Sequence, residues 1–136
     1  MKKLFSLLVV GLFLLAYACG GGGDDPKSVI NDYFEVMEGF INGLEKAGSA
    51  DDVAAAMEKF TAKMKELKPR MMALEEKYPE LKKMSTEGKM PEEFKEFEGR
   101  MKELMPKMMG LFGKIAQYAT DPKVVAAQKK FEEIMK

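Results

Sequence analysis

Thirteen methionines in 136 residues are the unusual chemical resource of this chain. Two adjacent pairs, Met71-Met72 and Met108-Met109, follow Pro69 and Pro106 at the same spacing. Thioether sulfurs are soft donors suited to Cu(I), so four of them brought together would make a Cu(I) site. Methionine is also an adaptable filler of apolar cores. Met57, Met64, Met71, Met101 and Met108 fall on apolar helical seams, where core methionines belong, and Met72, Met105 and Met109 fall off them. Core packing is therefore the first expectation, with Met71, Met72, Met108 and Met109 as the alternative Cu(I) ligands.

Other chemistries lack their residues. The chain has no histidine, which removes the commonest general base and the commonest nitrogen ligand. No Ser-His-Asp or Cys-His pair can be assembled, nor the Glu-x-x-His motif of di-iron bundles. Haem would have to be held by two methionines alone. The carboxylates Glu75, Glu76, Glu92, Glu93, Glu132 and Glu133 sit between seam positions and read as solvated faces. The expectation is a protein that is not an enzyme and carries no resident cofactor.

The one cysteine, Cys19, has a distinctive setting. Met1-Lys2-Lys3 is cationic, residues 4–15 are an apolar run, and Ala16-Tyr17-Ala18 is an A-x-A cleavage site immediately before Cys19. A twelve-residue stretch falls short of the ~20 apolar residues that a membrane-spanning helix needs. This arrangement resembles the lipobox signal peptide of bacterial membrane lipoproteins. The resemblance covers the first nineteen residues. It implies that residues 1–18 are removed, that Cys19 is lipidated, and that acyl chains hold the protein at a membrane of the cell envelope. Gly20 is not the aspartate that retains enteric-type lipoproteins at the inner membrane, so the resemblance favours the outer membrane. The alternative is a cut by ordinary signal peptidase, which leaves a soluble secreted or periplasmic protein. Residues 19–26 then form a Gly-rich tether, of which six flexible residues reach ~13 Å on average.

Removal of residues 1–18 leaves 118, enough for one modest domain over residues 27–136. The mature chain would carry 20 basic and 22 acidic side chains, a formal charge of −2. A near-neutral domain with interspersed charges has no electrostatic footprint for nucleic acid.

The elements that would position these residues are helical throughout. Residues 27–47 place Ile30, Tyr33, Phe34, Met37, Phe40, Ile41 and Leu44 on one face, with Gly48 as the stop. Ser49-Ala50-Asp51-Asp52 reads as a capping box that opens a second helix. That helix has a seam of Val53, Met57, Phe60, Met64, Leu67, Met71, Leu74 and Tyr78, alternating steps of four and three. Residues 79–90 read as a linker. A third helix starts near Pro91 with the seam Phe94, Phe97, Met101, Leu104, Met108, Leu111, Ile115 and Tyr118. Thr120-Asp121-Pro122 caps a fourth, with Val124, Ala127, Phe131 and Ile134 on its face.

The helices also repeat one another. Residues 57–74 and 94–111 are identical at nine of eighteen positions, with Pro69 aligned to Pro106. Residues 124–136 match 53–65 at seven of thirteen, with Phe131 aligned to Phe60. The expectation is an all-α antiparallel bundle of four helices in which the two proline-bearing helices bend or break and pack on each other. With a turn near Met90, Met71 and Met108 would then lie at comparable heights, and up to four sulfurs would converge. Function is expected to be that of a lipid-anchored helical interaction or structural module, with an envelope protein or peptide as partner. A Cu(I) buffer or carrier is the alternative.

Overall fold

The computed structural model describes residues 25–81 and 90–136. Four α-helices make up the bundle: α1 (Pro26–Lys46), α2 (Ala50–Lys77), α3 (Glu98–Gln117) and α4 (Pro122–Met135). A short 3-10 helix, Glu92–Phe97, leads into α3. No strand occurs among the described residues, and the fold is an all-α helical bundle.

Three of the four starts have a side-chain cap, and α3 instead continues from the 3-10 helix. Asp25 and Asp121 cap α1 and α4 by accepting the N–H of Ser28 (3.3 Å) and of Lys123 (2.9 Å), with a proline in the first turn of each helix. The expected box at α2 forms. The Asp52 N–H donates to the Ser49 hydroxyl oxygen (3.2 Å), and that hydroxyl donates to the Asp52 carboxylate (2.8 Å). The same carboxylate accepts the Gly48 N–H (3.0 Å). Gly48 does not act as a left-handed stop. The chain leaves α1 in extended geometry at buried Ala47, and Gly48 has no positive φ.

The seams bury over most of their length, but Met71, Tyr78, Met101, Leu111 and Tyr118 are half-buried, and Glu75, expected on a solvated face, is buried. Val53, Met57, Phe60, Met64, Leu67 and Leu74 of α2 are buried, and so are Leu104, Met108 and Ile115 of α3. Phe40, Phe60 and Phe97 lie in one core cluster, with Phe131 packed against it.

Helix adjacency corrects the expectation drawn from the repeats. Successive helices alternate in direction, but α2 packs mainly on α1 and α4, while α3 packs on α1. The two proline-bearing helices are not packed side by side. Neither is broken: α2 runs through Pro69 and α3 through Pro106. Both prolines are exposed, as are Lys65 and Lys102, the residues four earlier whose carbonyls lose an N–H donor to proline.

Contacts fix the register. Along α1 and α3, Lys27 meets Glu96 (2.9 Å), Arg100 meets Asn31 (2.7 Å), and the Lys114 ammonium donates to the Leu44 and Glu45 carbonyls (2.9 Å each). Lys114 thereby covers carbonyls of the last turn of α1, of which that of Leu44 also accepts the Ala47 N–H. Along α2 and α4, Asp51 pairs with Lys123 (2.6 Å) and Glu58 with Lys130 (2.5 Å). Farther along, Lys68 donates to the Ile134 carbonyl (2.7 Å). So α3 runs parallel to α1 and α4 parallel to α2. The α1–α2 hairpin forms the centre, with α3 and α4 laid against it.

Candidate functional site

The four methionines of the expected thioether set do not share one environment. Met71 and Met72 are half-buried on α2. Met108 is 4% exposed in the core, and Met109, one residue on, is 58% exposed. Adjacent helical residues point about 100° apart, so a seam position and its neighbour are divided between core and solvent. Because α2 and α3 are not packed side by side, the structure does not bring the two pairs together. The thioethers that reach solvent on α3 are Met105, 40% exposed, and Met109, with half-buried Met101 one turn before Met105.

Cys19 and its cleavage motif lie outside the described residues. Among those residues, no helix is long and apolar enough to cross a membrane, and no group of three or more carboxylates could hold a metal ion.

One concave feature was not foreseen. It is an open groove of about 670 Å³ along the face of the α1–α2 hairpin, with walls from these two helices alone. Its floor is apolar: Val36 and Phe40 from α1, with Ala56, Phe60 and Leu67 from α2. Two glycines shape it differently. At Gly43, a Cβ would stand 3.1 Å from the Ala56 Cβ, so glycine is what lets the helices approach there. At Gly39, a Cβ would meet nothing within 4 Å, so the backbone of α1 is bare at the middle of the groove.

Four of the seven charged residues on the rim are taken up in two ion pairs. Arg70 is paired with Asp32 at 2.6 Å, the Phe40 and Phe60 rings stack at 4.4 Å, and Ala56 faces Gly43, which fixes how α1 and α2 are aligned. In that register Asp32, Glu35 and Glu66 border one half, where Arg70 is taken up by Asp32. Lys63, near the level of Gly39, pairs with Glu66 at 3.3 Å, and Lys46 and Lys59 border the other half. Outside these two pairs the rim carries Glu35 toward one end and Lys46 and Lys59 toward the other. The sequence signal for this face was the Gly39-x-x-x-Gly43 spacing, which lies off the apolar seam of α1.

Elsewhere, polar contacts tie helices together. The Arg100 guanidinium donates to Glu38 Oε1 (2.9 and 3.2 Å) and to Asn31 Oδ1 (2.7 Å), and it lies 5.1 Å from the Phe34 ring centroid. Burial pushes the Tyr33 hydroxyl well above the usual phenol range. These groups hold α1 to its neighbours and do not line the groove. Compared with known protein families, with curated proteins and with solved structures, the chain matches none of them.

Proposed function

We propose that this chain is a lipid-anchored protein of the bacterial cell envelope whose helical bundle works as a non-catalytic interaction module. The observation that carries the reading is the open α1–α2 face, an apolar groove with a charged rim that α3 and α4 leave uncovered. Recognition surfaces need apolar area flanked by orienting polar groups, and this face has both. The anchor rests on Cys19 directly after Ala16-Tyr17-Ala18, with a glycine-rich tether behind it. The absence of histidine speaks against hydrolytic and most metal chemistry. The outer membrane is the proposed location.

The anchor is tested by growing cells with labelled palmitate. Wild type takes up label and stays with the membrane fraction, and Cys19→Ser does neither. Label persisting in Cys19→Ser overturns the anchor. Interaction is tested by chemical crosslinking of the anchored chain in intact cells. Crosslinked products that vanish when the groove is filled by Gly39→Phe support the module, and identical patterns from both chains overturn it.

A second reading is carried by the exposure of Met105 and Met109. With Met101 they recur every four residues, so their side chains are neighbours on one surface of α3. Such a row offers two or three soft donors to Cu(I). Submicromolar Cu(I) binding that disappears in Met105→Leu/Met109→Leu, with the helical spectrum intact, supports this reading. No such binding by the wild type discards it.

A further inference from the structure

We propose that Met105 and Met109 on α3 form a paired methionine-oxidation site, at which an oxidant of the hydroperoxide class converts both thioethers to sulfoxides while the fold stays intact. The inference needs neither a metal nor a partner, so it goes beyond both readings above.

Exposure singles out these two sulfurs. Met105 is 40% and Met109 58% exposed, and no other large apolar side chain is exposed among the described residues. Met37, Met57, Met64, Met90 and Met108 are buried. Met71, Met72, Met101 and Met135 are half-buried. Burial gives little reason for methionine at either exposed position. Both lie off the apolar seam of α3, on which Leu104, Met108 and Ile115 are buried. In the matching stretch 57–74, Lys68 stands where α3 has Met105, so the shared helical pattern accepts a polar residue there.

Access to the pair is open. Residues four apart on a helix are neighbours, so the two side chains lie on one surface. The positions one turn from Met109 are Met105, Pro106, Phe112 and Gly113, none of them charged. A Cβ at Gly110 or Gly113 would meet nothing within 4 Å, which leaves that side of α3 clear for a small oxidant.

The chemistry needs only the thioether and the peroxide. A sulfur lone pair attacks one peroxide oxygen, the O–O bond breaks as the S–O bond forms, and the second oxygen takes the proton and leaves as water. Sulfur is oxidised by two electrons and the peroxide is reduced by two. The sulfoxide is polar, and in a core it disrupts packing. At Met105 and Met109 it falls on a solvated face, where it turns an apolar strip of α3 polar and leaves the buried contacts as they were.

The full mature chain is treated with hydrogen peroxide, and sulfoxide at each methionine is followed by peptide mass spectrometry. Met105 and Met109 should oxidise at least about tenfold faster than Met37, Met57, Met64 and Met108, whose sulfurs react only when the bundle opens. The doubly oxidised chain should elute earlier from a hydrophobic-interaction column, with a melting temperature within about 3 °C of the untreated chain. Methionine sulfoxide reductases should restore the original retention. Met105→Leu/Met109→Leu keeps the apolar bulk and should show no early change in retention.

A core methionine that oxidises as fast as Met105 and Met109 overturns the proposal. So does a melting temperature that falls further than this when these two alone are oxidised. An early retention change in the double variant equal to that of the wild type places the reactive sulfur elsewhere and overturns the assignment.

Discussion

The rings of Phe60 and Phe131 lie 5.5 Å apart, and these two residues occupy equivalent positions in the matching stretches 53–65 and 124–136. The matched segments thus lie side by side, parallel and in register, and the repeated phenylalanine meets its own counterpart. Phe60 also stacks on Phe40 at 4.4 Å. Phe60 is 5% exposed and Phe131 is half-buried. Phe60→Ala should therefore cost about 3–5 kcal/mol in urea denaturation. Phe131→Ala, which empties a site at the edge, should cost only about 1–2 kcal/mol. Equal losses would mean that α4 covers Phe131 as fully as α1 and α2 cover Phe60.

Arg100 spans the α1–α3 contact with three hydrogen bonds and a cation–π contact. A lysine keeps the charge but cannot offer the planar fork. Arg100→Lys should lose about 1–2 kcal/mol of stability, in line with the loss of charge-assisted bonds at a half-exposed site. A double-mutant cycle with Glu38→Gln should show coupling between the two positions, which an unconnected pair would lack.

Ser49 and Asp52 close the start of α2 through reciprocal bonds. Ser49→Ala should cost about 1 kcal/mol, and Ser49→Asp, another good capping residue, should restore most of it. Amide exchange should speed up in the first turn of α2 and not in α4, whose cap is Asp121.

Stability should be level between about pH 5 and 9, because no histidine titrates there. On the acid side, the Gly48 N–H and the Ser49 hydroxyl hold the Asp52 carboxyl below its usual 3.8, and Lys102 and Lys107 do the same for Glu98 and Glu103. A lowered carboxyl stabilises the fold above its unfolded pKa, and that contribution is lost as pH falls through the folded one. Melting temperature should thus drop below about pH 4. On the alkaline side, burial raises the Tyr33 hydroxyl above 10.0, and hydrogen bonds to Glu96 and Asp51 raise Lys27 and Lys123 above 10.5. Raised groups stabilise below their unfolded pKa, so the second decline should start above about pH 10. Tyr33→Phe should soften only the alkaline limb.

Helix extents and buried faces were legible in the amino-acid sequence because they depend on local chemistry. A cap forms where Ser49, Asp25 or Asp121 can reach an N–H two or three residues on, and a face is buried where apolar residues recur with the helical period. The same periodicity separated seam Met108 from off-seam Met109 before any coordinates. Adjacency was not legible. A seam records that a side is covered, not by which helix, because apolar attraction is non-directional. The similar seams of α2 and α3 suggested mates, whereas α1, apolar over a wide arc, takes α2 on one flank and α3 on another. The α1–α2 groove escaped for the same reason. Gly39, Lys59 and Glu66 are ordinary residues on solvated faces until the Phe40–Phe60 stack and the Asp32–Arg70 pair set two helices in register. Only that tertiary alignment, fixed by contacts between residues far apart in the chain, gathers an apolar floor and its charged rim into one surface.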